Sequence, residues 1–261
     1  MKVAFITFSG EGVRVGALLG ERMPGMDCFV HEGAGAVPFT HERFASVREL
    51  VGHLFTDYEG LIFCSPTGIA VRAVAGLLEH KSRDPAAVVV DVCGRYVVSL
   101  FGGHEAGANR LAVEVANALG AEPVITTTTE ARKRCIVGIG CRRGTSKEAV
   151  VKAVRSALEA ASVQLEEVRL LATADLKRNE AGLIEAAREL DLPLRFIAAS
   201  EIKAEAARFT ASAFVEEKTG LPAVAEPAAV LAGRRARLIL PRTKFPGVMV
   251  AIAREDCSWS E

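Results

Sequence analysis

Short apolar runs alternate with amphipathic stretches along almost the whole chain, a pattern that predicts α/β units. Lys2–Phe8 reads as a first strand, and Gly10-Glu11-Gly12 turns the chain into a helix over Val13–Met23. Cys28–His31 and Gly60–Cys64 read as further strands. Between them, Ser46–Tyr58 places Val47, Leu50, Val51, Leu54 and Phe55 on one helical face. A helix is expected over Ile69–Glu79. Ala87–Asp91 and Tyr96–Leu100 flank the short Val92-Cys93-Gly94-Arg95, which predicts an antiparallel hairpin. His104–Leu119 follows as a helix closed by Gly120, and Pro123–Thr126 as a short strand.

The apolar pattern breaks at Glu130-Ala131-Arg132-Lys133-Arg134 and then starts afresh. Strands are expected at Cys135–Ile139, Val168–Thr173 and Leu194–Ile197. A helix to Ala161 starts either from Ser146, an N-cap without a capping box, or from a Thr145/Glu148 capping box, and another runs over Glu180–Leu190. Short helices at Glu201–Ala207, Ala211–Thr219 and Pro227–Ala232 precede closing strands at Arg237–Leu240 and Val248–Ala253. The expected architecture is α/β with two domains, residues 1–130 and 134–261. Each is a mostly parallel sheet flanked by helices, with a cleft between them. A length of 261 residues suits two domains.

Composition then removes several function classes. Lys plus Arg and Asp plus Glu are both 32, so no overall field draws the chain to nucleic acid or an anionic membrane. Affinity for an anion has to be local. No apolar run approaches a membrane span, and the N-terminal run is too short for a signal-peptide core, so a cytoplasmic location is expected. Cys28, Cys64, Cys93, Cys135, Cys141 and Cys257 form no C-x-x-C pair and no zinc spacing; buried, reduced thiols are expected. Gly10-x-Gly12-x-x-x-Gly16 and Gly138-x-Gly140-x-x-x-Gly144 each carry one residue too many for the dinucleotide fingerprint, and there is no P-loop.

Open α/β sheets take ligands at the carboxyl ends of their strands. In the first half the polar, glycine-rich loops expected there are Ser9–Gly12, Ser65–Gly68, Gly102–Glu105 and Thr126–Thr129. In the second half they are Gly140–Ser146 and Thr173–Lys177. His104 is the sharpest candidate: an imidazole titrates near neutrality, and Gly102 and Gly103 leave room beside it. The alternative is a histidine that only orders its turn. Arg72 lies one turn inside the helix after Thr67-Gly68, facing either ligand or solvent. Adjacent Arg142 and Arg143, flanked by glycines, suit bidentate grip on carboxylates. Lys177 and Glu180 also fit an ordinary exposed pair, and Lys244 a plain basic loop. The hydroxyls of Thr126–Thr129 suit carboxylate or carbonyl partners.

The runs Gly68–Ala75, Asp84–Asp91, Ser99–Asn109 and Pro123–Thr127 resemble the N-terminal domain of the CbiG family, the cobalt-precorrin-5A hydrolases of cobalamin (vitamin B12) biosynthesis. Gly138–Thr145, Ala172–Lys177 with Glu180, Ala225–Ala229 and Pro241–Lys244 resemble that family's C-terminal domain. The resemblance implies a cobalt-bearing corrinoid substrate, a tetrapyrrole with many acetate and propionate groups. It also implies the reaction: water opens the ring A δ-lactone, and acetaldehyde leaves to give cobalt-precorrin-5B. Cobalt comes with the substrate, so no cofactor and no protein metal site are expected. Carried onto this sequence, substrate binding falls to Thr67, Gly68, Arg72, Gly102, Gly103, Asn109, Thr126, Thr127, Gly140, Arg142, Arg143, Lys177 and Lys244. His104 is the candidate base, with Glu105 and Glu11 next. Members of the family often carry a further middle segment, whereas here Thr129 runs almost directly into Cys135. A non-catalytic corrinoid carrier of the same pathway is the alternative function. Homodimerisation and contact with other cobalamin-pathway enzymes stay open.

Overall fold

The computed structural model describes residues 1–210, 216–217 and 219–256. The helix expected over Ala211–Thr219 falls largely outside them, as does Cys257. The chain divides into two compact units, Met1–Thr127 and Thr128–Glu261.

The first unit is built on seven strands: β1 (Val3–Thr7), β2 (Asp27–His31), β3 (Glu42–Phe44), β4 (Gly60–Cys64), β5 (Ala86–Val90), β6 (Tyr96–Phe101) and β7 (Glu122–Val124). Their order is β3-β2-β1-β4-β5-β6-β7. Every pairing is parallel except β5 with β6. The helices are α1 (Gly10–Arg22), α2 (Val47–Asp57), α3 (Thr67–Val74) and α4 (Ala108–Leu119). Strands β1, β4 and β5 are buried from end to end, as near-continuous apolar runs require when helices cover both faces. Alternation along the strands splits the core. Phe5, Ile62 and Val88 pack with α1 and α4 residues on one face; Ile6, Phe63 and Val89 pack with α2 and α3 residues on the other.

α3 begins at Thr67, ahead of the expected Ile69, and ends at Val74 rather than Glu79; the starts of α1 and α4 differ more, each for a local reason. α1 begins at Gly10, because the Ser9 hydroxyl accepts the Gly12 N–H at 3.2 Å and caps the turn. α4 begins at Ala108 rather than His104. The Ala108 and Asn109 N–H groups are bound by the Gly102 and Gly103 carbonyls, each at 3.0 Å, and Gly107 is left-handed at φ 87°. The short edge strand β3 has no apolar alternation and was not anticipated. Cys93 lies exposed in the β5–β6 turn, contrary to the expectation for the cysteines, whereas Cys28, Cys64 and Cys135 are buried.

The second unit has five strands: β8 (Cys135–Cys141), β9 (Val168–Ala174), β10 (Leu194–Ile197), β11 (Arg237–Phe245) and β12 (Val248–Arg254), in the order β10-β9-β8-β12-β11. β8, β9 and β10 run parallel; β12 is antiparallel to both its neighbours. The helices are α5 (Thr128–Arg132), α6 (Lys147–Ala160), α7 (Ala181–Glu189), α8 (Ala199–Ala204) and α9 (Ala225–Leu231). Residues of α6 and α7 build the core on one face, and residues of α8 and α9 the core on the other. α6 is capped by Ser146, whose hydroxyl accepts the Ala149 N–H, and not by Thr145, whose hydroxyl donates to the Arg142 carbonyl. Gly138 is a packing glycine: a Cβ there would lie 1.9 Å from the Ala225 oxygen and 2.7 Å from the Ala229 nitrogen. The backbone of α9 therefore rests directly on β8, which accounts for Gly138 without any nucleotide loop.

Candidate functional site

Strand direction sorts the first unit's loops onto two opposite sheet edges. Ser9-Gly10-Glu11 follows β1, and Thr67-Gly68 follows β4, so both sit at the carboxyl ends of parallel neighbours. The strand order reverses here, with β2 on one side of β1 and β4 on the other, and this is the crevice where doubly wound sheets take ligands. β6 runs the other way, with Phe101 opposite Ala87 near the start of β5. β7 is parallel to β6, so Thr126 and Thr127 emerge beside the Gly102–Glu105 loop. Glu11 is thus separated from His104 by the length of the strands, roughly 13 Å over four steps of about 3.3 Å. All four loops follow the carboxyl ends of their strands, and they fall two at each edge.

At the switch-point edge, Glu11 is fully exposed in the first turn of α1. Its own backbone N–H and the Ser9 hydroxyl hold its carboxyl below the ordinary value. Arg72 is exposed and folds back, its Nη1 donating to the Gly68 carbonyl at 3.2 Å. Thr67 and Gly68 are exposed at the start of α3.

At the opposite edge a buried network ties the glycine loop down. The Ser99 hydroxyl donates to Asn109 Oδ1 at 2.8 Å, and Asn109 Nδ2 donates to Thr127 Oγ1 at 3.0 Å. Asn109 is buried, so its side chain is occupied inside the fold rather than offered to a ligand. The room expected beside Gly102 and Gly103 is also filled. A Cβ on Gly103 would fall 2.6 Å from Thr127 Cγ2, and one on Gly102 would fall 2.9 Å from the Pro85 oxygen. Glu105 pairs with Lys81 at 2.6 Å. The hydrogen bond from Lys81, then Glu105's own N–H and the charges of Lys81 and His104, lower its pKa. His104 and Thr126 are exposed, and no hydrogen bond to a described residue engages the His104 ring.

The second unit gathers its candidates on a single edge. The Arg142–Ser146 loop follows β8, Asp175–Lys177 follows β9, and the β11–β12 turn returns there because Val248 pairs with Cys141 and Lys244 with Met249. Gly140, the last but one residue of β8, lies under Val224. Arg142, Arg143 and Lys244 are exposed and make no ion pair among the described residues. Lys177 differs. It pairs with Glu180 at 3.1 Å, and the two side chains keep only 13% and 14% of their exposure, so this is not the solvent-facing pair that spacing suggested. The second Glu180 oxygen accepts the Gly144 N–H at 3.0 Å. Burial works to raise the Glu180 pKa, but the Gly144 N–H, Lys177 and the charge of Arg143 outweigh it and the carboxyl lies below its usual value. Burial raises the neighbouring Cys141 thiol.

Sequence reasoning missed Glu226. It is buried in the first turn of α9, and its Oε1 accepts the Arg242 N–H at 3.0 Å, where β11 slips register between Leu240 and Thr243. Ala225–Ala229 and Pro241–Lys244 are therefore one structural unit: the glutamate takes the N–H that the irregular strand leaves unpaired. Among the described residues no group of three or more His, Cys, Asp and Glu side chains is gathered as metal ligands would be. No described helix is long and apolar enough to cross a membrane.

Two family models match the chain: "Cobalamin synthesis G N-terminal" over residues 49–130 and "Cobalamin synthesis G C-terminus" over residues 135–253. The chain is 40% identical over 131 residues to the cobalt-precorrin-5A hydrolase of Salmonella typhimurium, a match covering 49% of this chain and 36% of that one. It is 46% identical over 98 residues to the hydrolase of Priestia megaterium, covering 38% of this chain and 26% of the relative. Against Protein CobE of Sinorhizobium sp the identity is 35% over 128 residues, covering 48% of this chain and 83% of the relative. The matches thus span about a third or less of the two hydrolases, and most of CobE.

Proposed function

The chain belongs to the cobalamin synthesis G family, and on that premise we propose that it hydrolyses cobalt-precorrin-5A in cobalamin biosynthesis. The observation that carries the reading is the cationic edge of the second unit. Arg142, Arg143 and Lys244 are exposed there and make no ion pair among the described residues, as a ligand rich in carboxylates requires. Arg72 at the switch point of the first unit supplies a further guanidinium. Thr67 and Gly68 beside it are assigned to substrate, and Thr126 hydroxyl contact is assigned at the opposite edge. Lys177 contributes less, because Glu180 already neutralises it.

Water attacks the carbonyl of the ring A δ-lactone and opens it to a carboxylate and an alcohol. Loss of the alcohol proton then turns the C–O bond into the carbonyl of acetaldehyde as the carbon–carbon bond breaks; the electron pair of that bond stays in the conjugated macrocycle, which takes up a proton. His104 is assigned the proton from water, since its ring is exposed and no hydrogen bond to a described residue engages it. Glu105 and Glu11 are weaker bases, each held below the ordinary carboxylate value. The Ala108 and Asn109 N–H groups are consumed within the loop, so a guanidinium is the proposed donor to the oxyanion. Cobalt is assigned to the substrate, and no cofactor enters the scheme.

A carrier is the second reading, favoured by one observation: Asp175 and Glu180 at the cationic edge, and Glu226 behind it, each accept a backbone N–H. Purified protein incubated anaerobically with cobalt-precorrin-5A should release acetaldehyde in stoichiometric amount with cobalt-precorrin-5B. Bound but unchanged substrate would replace hydrolysis by carriage. A His104→Ala variant with full turnover would remove the base assignment alone.

A further inference from the structure

Glu180 is the N-cap residue of α7, yet its side chain makes no cap hydrogen bond to its own helix. It reaches across to the loop after β8. One oxygen accepts the Gly144 N–H and the other binds Lys177. The same loop is held from its far side, where the Arg142 N–H donates to the Gly247 carbonyl at 3.1 Å. α7 is seated against the loop as well: a Cβ on Gly182 would lie 2.1 Å from the Thr145 oxygen. The loop backbone is therefore fixed at both ends, while the two side chains it carries, Arg142 and Arg143, project without an ion-pair partner.

A half-buried carboxylate spent on a loop N–H, beside two guanidinium groups that make no ion pair among the described residues, does work that a surface ion pair does not. We propose that Glu180 is a positioning residue, which sets the Arg142–Arg143 pair in advance for a polycarboxylate ligand while keeping Lys177 out of that ligand's reach. The inference rests on the carboxylate-binding role proposed above for this edge. Preorganisation is where such a contact acts, because a fixed pair of guanidinium groups loses little freedom when two carboxylates arrive. Replacing Glu180 by alanine leaves Gly144 without its acceptor and frees Lys177. Replacing it by glutamine keeps an oxygen for Gly144 and frees Lys177.

The test measures binding of uroporphyrin, a stable tetrapyrrole with acetate and propionate groups, to full-length protein by fluorescence titration. Glu180→Ala should weaken binding about tenfold, the scale of one lost hydrogen bond to a charged group. Glu180→Gln should bind as tightly as wild type or tighter, since it restores the loop and adds a free ammonium. In turnover, Glu180→Ala should raise KM and leave kcat within about twofold, as lost uniform binding does. Thermal unfolding of both variants separates a loosened loop from a collapsed unit. Equal binding by wild type and Glu180→Ala would overturn the anchor and leave the carboxylate edge standing. Equal weakening in alanine and glutamine would overturn it too, by tying the effect to charge rather than to the loop. If wild type binds no uroporphyrin, the edge and its anchor fall together.

Discussion

The two units solve the same problem with opposite results. In the second, the antiparallel strands β11 and β12 come last, and their turn returns to the edge where β8 and β9 end. Gly140, Arg142, Arg143, Lys177 and Lys244 consequently share that edge. In the first unit a single antiparallel strand, β6, intervenes between the parallel core and β7, and the loops that follow β6 and β7 both open at the far edge. The loops of both units carry glycines and hydroxyls, although their Lys and Arg side chains belong to the second unit. Strand direction alone decides which of these loops can meet one ligand.

The sharpest way to break that comparison is to remove cations from each unit in turn. Arg142→Ala with Arg143→Ala should weaken uroporphyrin binding about 100-fold, two charge-assisted contacts being lost from one rigid loop. Arg72→Ala should cost about threefold, because its guanidinium already spends one donor on Gly68. Titration of the two variants decides the order. A larger loss at Arg72 would move the principal carboxylate site to the first unit's switch point.

A smaller effect separates structure from binding within the first unit. Asn109→Ala should lower stability in urea by about 2 kcal/mol, since a buried amide bonded to both Ser99 and Thr127 leaves their hydroxyls unpaired. The exposed Thr126→Ala should change stability by less than about 0.5 kcal/mol. Asn109→Ala that unfolds like wild type but binds poorly would return Asn109 to the ligand-binding set.

What the sequence made legible follows the same division. Gly60–Cys64 was placed to the residue, because a buried parallel strand is a continuous apolar run; Leu194–Ile197 was placed as well, although it is a half-buried edge strand that carries Arg195. The β5–β6 hairpin was also legible, from a four-residue turn that Asp91 closes by accepting the Cys93, Arg95 and Tyr96 N–H groups. Its consequence was not drawn: a reversed β6 cannot deliver Gly102–Glu105 to the edge of Ser9 and Thr67. The first turn of α4 was misplaced because two carbonyls of the preceding loop, invisible to periodicity, take its N–H groups. Glu226 was hidden because a glutamate before a proline in an alanine-rich helix carries no local sign of a distant N–H. The half-buried state of Lys177 and Glu180 likewise depends on a loop thirty-odd residues earlier in the chain.

The smallest expected effect is the most direct test of the divided first unit. Glu11 and His104 were expected to serve one centre, but they sit at opposite edges of one sheet. If only one edge holds the reacting lactone, Glu11→Gln and His104→Ala cannot act on the same proton. Side chains that far apart with no shared partner act independently, so the double variant's kcat/KM should equal the product of the single effects within about twofold. Residues that work as one catalytic unit behave otherwise: once one is gone, loss of the second costs little more. A double variant no worse than its weaker parent would therefore mean that both residues reach the same substrate. It would follow that sheet direction does not divide the chemistry of this unit, and the contrast with the cationic edge of the second would be lost.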